Sequence, residues 1–298
     1  MKKLLFLLNP CAGTKKANRY MADIIDIFNR ADYEVTVYVT AGQGDCMRMV
    51  TSCAADKDLV VCCGGDGTFN ETVAGMLHSG LQIPIGYIPA GSTNDFAASM
   101  HLPTDILKAA KLCVTGVPVA CDVGRFDGRP FSYVASFGAF TRSSYSTSQS
   151  VKNTLGHVAY MLSGIQELGQ IKATHARLEL ADGRVMEDDY LFGAISNTTS
   201  VGGILTLNPK RVDMHDGKLE LLLIRSPKDL GELTDCLVKL QRQEYTSAMV
   251  TFVSTEQVRV ATQEPMDWSL DGEWGQGGTS VLIECLHNAI YVVQEEQA

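Results

Sequence analysis

The stretch LVVCCGGDGTFNETVAGML, residues 59–77, runs from an apolar segment into Gly64-Gly65-Asp66-Gly67-Thr68 and then into a helical pattern. An uninterrupted apolar run that stops at glycines reads as a strand buried on both faces. The spacing after it predicts a helix over residues 69–77, with Asn70 and Glu71 on its first turn. Strand, glycine turn and helix together make the repeating unit of a parallel α/β sheet.

The same alternation surrounds it. KLLFLL, YEVTVYVT and PIGYIPA read as strands, and residues 18–30, 45–55 and 106–113 carry helical spacing. Residues 1–125 are therefore expected to form an α/β domain. After Asp122 the texture changes to successive strand patterns: RPFSYVASFGAF, ATHARLELA, DDYLFGAISN, KLELLLIR, VRVAT and TSVLIECL. Turn signals fall at Asp127-Gly128, Asp182-Gly183, Asp216-Gly217 and Asp271-Gly272. Residues 126–287 are thus expected to form a second, mostly antiparallel β domain, interrupted by helices at 151–168 and 230–241. NAIYVVQ reads as a tail strand that returns to the first domain, so that residues 288–298 complete it.

Composition narrows the classes. The chain has 298 residues, 45% hydrophobic and 20% charged, which is the balance of a globular protein with a sizeable core. A formal net charge of −9 argues against general nucleic-acid binding, which leaves a basic footprint. Contact with anionic lipid would need a local basic or apolar patch; Lys15, Lys16 and Lys152 are candidates, with solvated surface as the default for each. The first apolar run, residues 4–8, ends at Asn9-Pro10 and is too short for a signal peptide, and no stretch approaches the ~20 apolar residues of a membrane span. Nine cysteines without paired CxxC units read as reduced, mostly buried thiols of a cytoplasmic protein.

Three glycine-containing loops, NPCAGTKK, CCGGDGTFNE and PAGSTNDFA, each follow a strand. In an open parallel sheet, ligands bind beyond the carboxyl ends of the strands. Glycines there let backbone N–H groups approach phosphate oxygens. Neither GxGxxG nor GxxxxGK[ST] is present. Asp66 is the informative residue, because a carboxylate beside phosphate repels it unless a magnesium ion lies between them. The residue types point to a Mg-nucleotide.

NPCAG, GGDGTFNE and PAGSTNDFA, in this order and spacing, resemble the diacylglycerol kinase catalytic domain family, which includes soluble bacterial diacylglycerol kinases and relatives acting on sphingosine and ceramide. The resemblance continues through VDMHDGKLELLLI and SLDGEW and so covers nearly the whole chain. It implies an α/β fold of two domains: an amino-terminal, NAD kinase-like nucleotide-binding domain and a carboxyl-terminal antiparallel β-sandwich. It further implies transfer of the ATP γ-phosphate to a lipid hydroxyl, first of all that of diacylglycerol, in a cleft between the domains. ATP and Mg2+ follow as cofactors, and a lipid substrate reached by peripheral association with the inner face of the membrane follows as partner; a homodimer is compatible with it.

Carried over position by position, the resemblance assigns nucleotide contacts to Asn9, Pro10, Cys11, Ala12, Gly13, Thr14, Thr40, Gly64, Gly65, Asp66, Gly67, Thr68, Asn70, Glu71, Gly91, Ser92 and Asn94. For Glu71, helix capping is an equal alternative. Ala12 stands where the family has Ser, and Ser92 where it has Thr; the first change removes a hydroxyl and the second keeps one. The catalytic candidates are Glu273, Asp66, Asp95, Asp122 and Asp271. Either Glu273 or Asp66 is the general base, with Glu273 favoured. Asp95 and Asp122 belong to a water–Mg2+ network, although Asp122 could instead cap the domain junction. A structural Mg2+ is implied at Asp216, with Asp213 and Lys218 contributing main-chain oxygen; a plain hairpin turn is the alternative there. The competing functions are a NAD kinase-like enzyme, which shares GGDG, and a non-catalytic lipid or nucleotide sensor.

Overall fold

The computed structural model describes residues 1–138, 173–201, 205–245 and 248–296. The expected helix at 151–168, with Lys152, lies outside the described residues. The chain divides into two compact units, Met1–Val123 with His287–Ala298, and Gly124–Leu286.

In the first unit, β1 (Lys2–Leu8), β2 (Tyr33–Val39), β3 (Leu59–Gly64) and β4 (Ile85–Pro89) form a parallel sheet in the order β4-β3-β1-β2. Helices α1 (Met21–Arg30), α2 (Asp45–Cys53), α3 (Asp66–Ser79), α4 (Asp95–Ser99) and α5 (Ile106–Thr115) connect them. Every residue of β3 is buried, as its apolar run requires. The apolar stripes of α1 and α5 close over Leu4, Phe6, Leu8, Val61 and Ile88, with Phe6 and Phe28 meeting edge to face at 5.6 Å. Helices α2 and α3 pack against each other.

Two local expectations are corrected. The helix after GGDG begins at Asp66 rather than Phe69, so Asn70 and Glu71 sit on its second turn. Gly65 adopts the extended conformation of an N-cap, which lets the helix start within the glycine run. Residues 16–20 form a 3₁₀ turn, and the α-helix proper starts at Met21.

The second unit is a β-sandwich with one α-helix among the described residues. Its strands are the ends of β5 (Val117–Phe126) and β17 (Ser280–Gln294), together with β6 (Arg129–Phe131), β7 (Val134–Gly138), β8 (Thr174–Leu180), β9 (Val185–Ser196), β10 (Ser200–Val201), β11 (Leu205–Thr206), β12 (Leu219–Arg225), β13 (Val250–Thr255), β14 (Gln257–Thr262), β15 (Asp267–Leu270) and β16 (Glu273–Gln276). Trp268 centres the core between Phe126 and Phe137, each 5.0 Å away. Helix α6 (Leu230–Gln241) packs Leu233, Cys236 and Leu240 on a second cluster with Phe192, Leu222 and Ile224. TSVLIECL and NAIYVVQ prove to be one strand, β17, which pairs with β14 in this unit and meets β4 in the first. The run RPFSYVASFGAF divides into β6 and β7, because Ser132, Tyr133 and Val134 donate their N–H groups to Asp271.

Candidate active site

The strand order places the topological switch between β1 and β3, since the chain leaves β1 for β2 on one side and returns to β3 on the other. Sheets of this kind bind ligands at the carboxyl ends of those strands. There the Asn9 backbone N–H donates to the Cys63 carbonyl at 2.9 Å, and Asn9 Nδ2 donates to Thr68 Oγ1 at 2.9 Å. Asn9 Oδ1 in turn accepts from the Cys11 N–H, which folds the first loop back on its own start.

Glycine is required where these loops meet. A Cβ on Gly91 would stand 2.5 Å from the Gly65 Cα, and one on Gly13, at φ +50°, would stand 2.4 Å from the Ala90 carbonyl oxygen. The Ala90 N–H donates to the Gly64 carbonyl at 2.7 Å, and the Asn94 side chain pins Gly91 through both its amide groups. Three loops thus lie backbone against backbone. Gly67, by contrast, faces open space. Helix α3 starts beside it without a side-chain cap, so its first N–H groups stay available to an anion. Cys11, Gly13, Thr14 and Ser92 are exposed on the same loops, and Pro10 is half-buried. Ala12 and Thr68 are buried.

Asp66 lies on the first turn of α3 and turns toward α4. Its Oδ1 accepts the Phe96 N–H at 3.2 Å. Burial pushes its carboxyl above the usual carboxylate range, while the N–H groups of Phe96, Asp95 and Asn94 pull the other way. Stacking of Phe69 on Phe96 at 4.1 Å, with Tyr87 at 4.8 Å, holds the two helices at this spacing. Asp95 is buried beside it at the start of α4.

Other predicted residues are occupied elsewhere. The Glu71 carboxylate accepts from the N–H groups of Gly44 at 2.7 Å and Cys46 at 3.1 Å, capping α2. Thr40 follows β2 and donates its N–H to the Leu8 carbonyl. Asp122 is fully buried and accepts from His287 Nδ1 and the Asn288 N–H, tying β5 to β17 where the chain passes between units. Asn70 is half-buried on α3.

In the second unit, Asp271 and Gly272 take φ values of 51° and 80° and form the two-residue turn between β15 and β16. Asp271 is buried, and its carboxylate accepts the N–H groups of Ser132, Tyr133 and Val134 at 2.6–3.0 Å. Glu273, on β16, is half-exposed and pairs with Arg129 Nη2 at 3.0 Å. Asp216 Oδ1 accepts the Lys218 N–H, and Asp213 Oδ1 accepts the His215 N–H, each at 3.0 Å. Among the described residues no group of three or more His, Cys, Asp or Glu side chains is arranged to hold a metal, so an ion at this turn depends on main-chain oxygen and water.

Sequence reasoning passed over Arg129 and Glu220. A carboxylate inside the leucine run KLELLLI was the available signal for Glu220, which is 1% exposed. Burial and the nearby Asp216 and Asp213 charges push its carboxyl up to about 8.

The fold defines a two-unit protein of the α/β class, an amino-terminal parallel α/β unit with a carboxyl-terminal antiparallel β-sandwich. Residues 3–126 match the family described as Diacylglycerol kinase catalytic domain, and residues 134–294 match the YegS C-terminal NAD kinase beta sandwich-like domain. The chain is 30% identical over 300 residues to a Diacylglycerol kinase of Bacillus subtilis, covering 100% of this chain and 98% of that one. It is 31% identical over 277 residues to a Diacylglycerol kinase of Staphylococcus carnosus, covering 92% and 89%. Two solved structures from Bacillus anthracis superpose with TM-scores of 0.84 and 0.77 over 99% of this chain and 97% of theirs; at 24% and 22% identity they speak for the fold alone. The chain belongs to the diacylglycerol kinase family and is a lipid kinase.

Proposed function

We propose that this kinase transfers the γ-phosphate of ATP to the hydroxyl of diacylglycerol, yielding phosphatidic acid. The observation that carries the nucleotide half is the backbone-to-backbone packing of the Gly13, Gly65 and Gly91 loops around the uncapped start of α3. The N–H groups of Gly67 and Thr68 bind phosphate oxygens, and the helix dipole favours their charge. Asn9, Thr14, Ser92 and Asn94 line the same loops, and Thr40 follows β2 on that edge of the sheet.

The chemistry beside Asp66 fits a divalent ion: Asp66 opens α3, the buried Asp95 opens α4, whose first N–H groups bear on the Asp66 carboxylate, and burial makes an uncompensated charge at Asp66 costly. Mg2+ bound there would neutralise charge on the phosphates during transfer. Asp66 holds that ion, directly or through water. Glu273 accepts the proton of the lipid hydroxyl, with Arg129 fixing the orientation of its carboxylate. Asp122 and Asp271 act as structural carboxylates in this reading, because backbone N–H groups already hold them. Asp213, Asp216 and Lys218 hold a structural Mg2+ at their turn.

The lipid is met at a membrane surface by peripheral association on the cytoplasmic side; among the described residues no helix is long and apolar enough to cross a membrane. Labelled ATP offered with diacylglycerol, a sphingoid base, undecaprenol or NAD tests the assignment. Label in phosphatidic acid is expected; label in NADP alone would contradict it.

A further inference from the structure

Strand β12 is buried on both faces, and Glu220 is its one ionisable residue inside that burial. In the antiparallel register Glu220 stands opposite Ser196 on β9 and Ser254 on β13. Residues directly opposite share a face, so the three polar side chains form a row across three strands. Ser254 Oγ donates to Glu220 Oε1 at 3.3 Å. Glu220 Oε2 and Ser196 Oγ are both buried without a hydrogen-bond partner among the described residues. Two orphaned oxygens in adjacent positions are unusual, since buried polar atoms are nearly always satisfied.

The row begins two residues after Lys218, at the turn that carries Asp213 and Asp216, and both aspartate charges bear on Glu220. Asp213 and Asp216 thus add negative charge near the buried Glu220 carboxyl, and the basic side chain against them is His215, whose Nδ1 stands 3.3 Å from Asp213 Oδ1. Oxygen atoms of carboxylates and hydroxyls are the ligands that hard divalent cations and their waters prefer. We propose that Glu220 is a positioning residue for the divalent cation held at the 213–218 turn, its buried carboxylate accepting hydrogen bonds from the cation's water ligands. This rests on the reading of that turn as a Mg2+ site.

The experiment uses the full chain, stripped with a chelator and free of nucleotide. Mg2+ binding is followed by calorimetry and by the Mg2+-dependent rise in Tm, for wild type, Asp216→Asn and Glu220→Gln. Wild type should bind Mg2+ and Asp216→Asn should not. Glu220→Gln should bind about 10–100-fold more weakly, the usual effect of removing a group that orients a metal's ligands. Its Mg2+-dependent Tm rise should shrink although its metal-free Tm does not fall. Wild-type Mg2+ affinity in Glu220→Gln would overturn the inference alone and leave Glu220 a protonated packing residue. Loss of Tm by the same amount with and without Mg2+ would overturn it too. No Mg2+ binding by wild type, or undiminished binding by Asp216→Asn, would overturn the turn assignment and the inference with it. If Glu220→Gln does not fold, Glu220→Asp serves: several-fold weaker Mg2+ binding is expected, and unchanged affinity contradicts the proposal.

Discussion

Asp66-Gly67 and Asp271-Gly272 use the same dipeptide for different ends. In the second unit both residues have positive φ, the turn reverses the chain, and the aspartate is consumed by three backbone N–H groups. In the first unit Asp66 is helical, its glycine opens onto empty space, and its carboxylate accepts the Phe96 N–H at the start of α4 beside an uncapped helix start. One carboxylate closes a structure. The other stands beside a helix start that no side chain caps. What separates them is the strand that precedes each: a parallel strand delivers its turn to a switch point, whereas an antiparallel hairpin delivers its turn to the next strand.

The largest expected break in this comparison is Asp271→Ala. Removing the carboxylate leaves three N–H groups at positions 132–134 without their acceptor. A loss of about 3–5 kcal/mol in urea-unfolding stability is expected. A loss below about 1 kcal/mol would show that the turn is not held as described.

A smaller effect concerns pH. The Glu220 carboxyl is pushed up from 4.5 to about 8, chiefly by burial. A raised acid pKa means the folded state holds the proton more tightly than the unfolded one. Its stabilising contribution is therefore complete below about 4.5 and is lost as pH rises through about 8. Metal-free wild type should lose stability, on the order of a few kcal/mol, between about pH 4.5 and 8, and Glu220→Gln should lose clearly less. Parallel stability curves for the two proteins would contradict this.

Gly91→Ala sharpens the glycine-loop side of the comparison. The new methyl would stand 2.5 Å from the Gly65 Cα, and backbone cannot yield as a flexible side chain does. A cost of about 1–3 kcal/mol is expected, with weaker ATP binding in the same variant. Normal ATP affinity there would mean that the close approach of the two loops does not shape the site. Glu71→Gln is the mildest case. It keeps an acceptor oxygen for only one of the Gly44 and Cys46 N–H groups and removes charge from the α2 amino end, for a cost of about 1–2 kcal/mol by thermal unfolding. A large drop in turnover with unchanged stability would instead return Glu71 to the nucleotide site.

Much of this was legible in the sequence, for definite reasons. The all-apolar β3 and the glycine run after it announce a buried parallel strand and its loop, and the change in periodicity after Asp122 announces a second, mostly antiparallel β domain, which the family resemblance makes a sandwich. Asp-Gly pairs announce hairpins, and Asp127-Gly128 and Asp271-Gly272 both have the positive φ values such turns need. What could not be read were side-chain destinations. Glu71 caps a helix 25 residues upstream, Asp122 accepts from Asn288, and Asp271 accepts from residues 132–134; each bond depends on tertiary approach, which local patterning does not encode. The helix start at Asp66 was missed because glycine has poor helix propensity, yet an N-cap needs only extended geometry.

The central claim is that Asp66 works on phosphate while Asp271 holds the fold. It is tested most directly by measuring transfer of γ-labelled phosphate from ATP to diacylglycerol in mixed micelles, with unfolding curves alongside, for wild type, Asp66→Asn, Glu273→Gln and Asp271→Asn. Wild type should make labelled phosphatidic acid. Asp66→Asn should lose on the order of 10³-fold in kcat with its Tm kept, since the amide oxygen still accepts the Phe96 N–H. Glu273→Gln should lose about 10²-fold with ATP binding intact. Asp271→Asn should lose stability first and activity only in proportion. Wild-type kcat in Asp66→Asn, or a kcat loss in Asp271→Asn at full stability, would contradict the account.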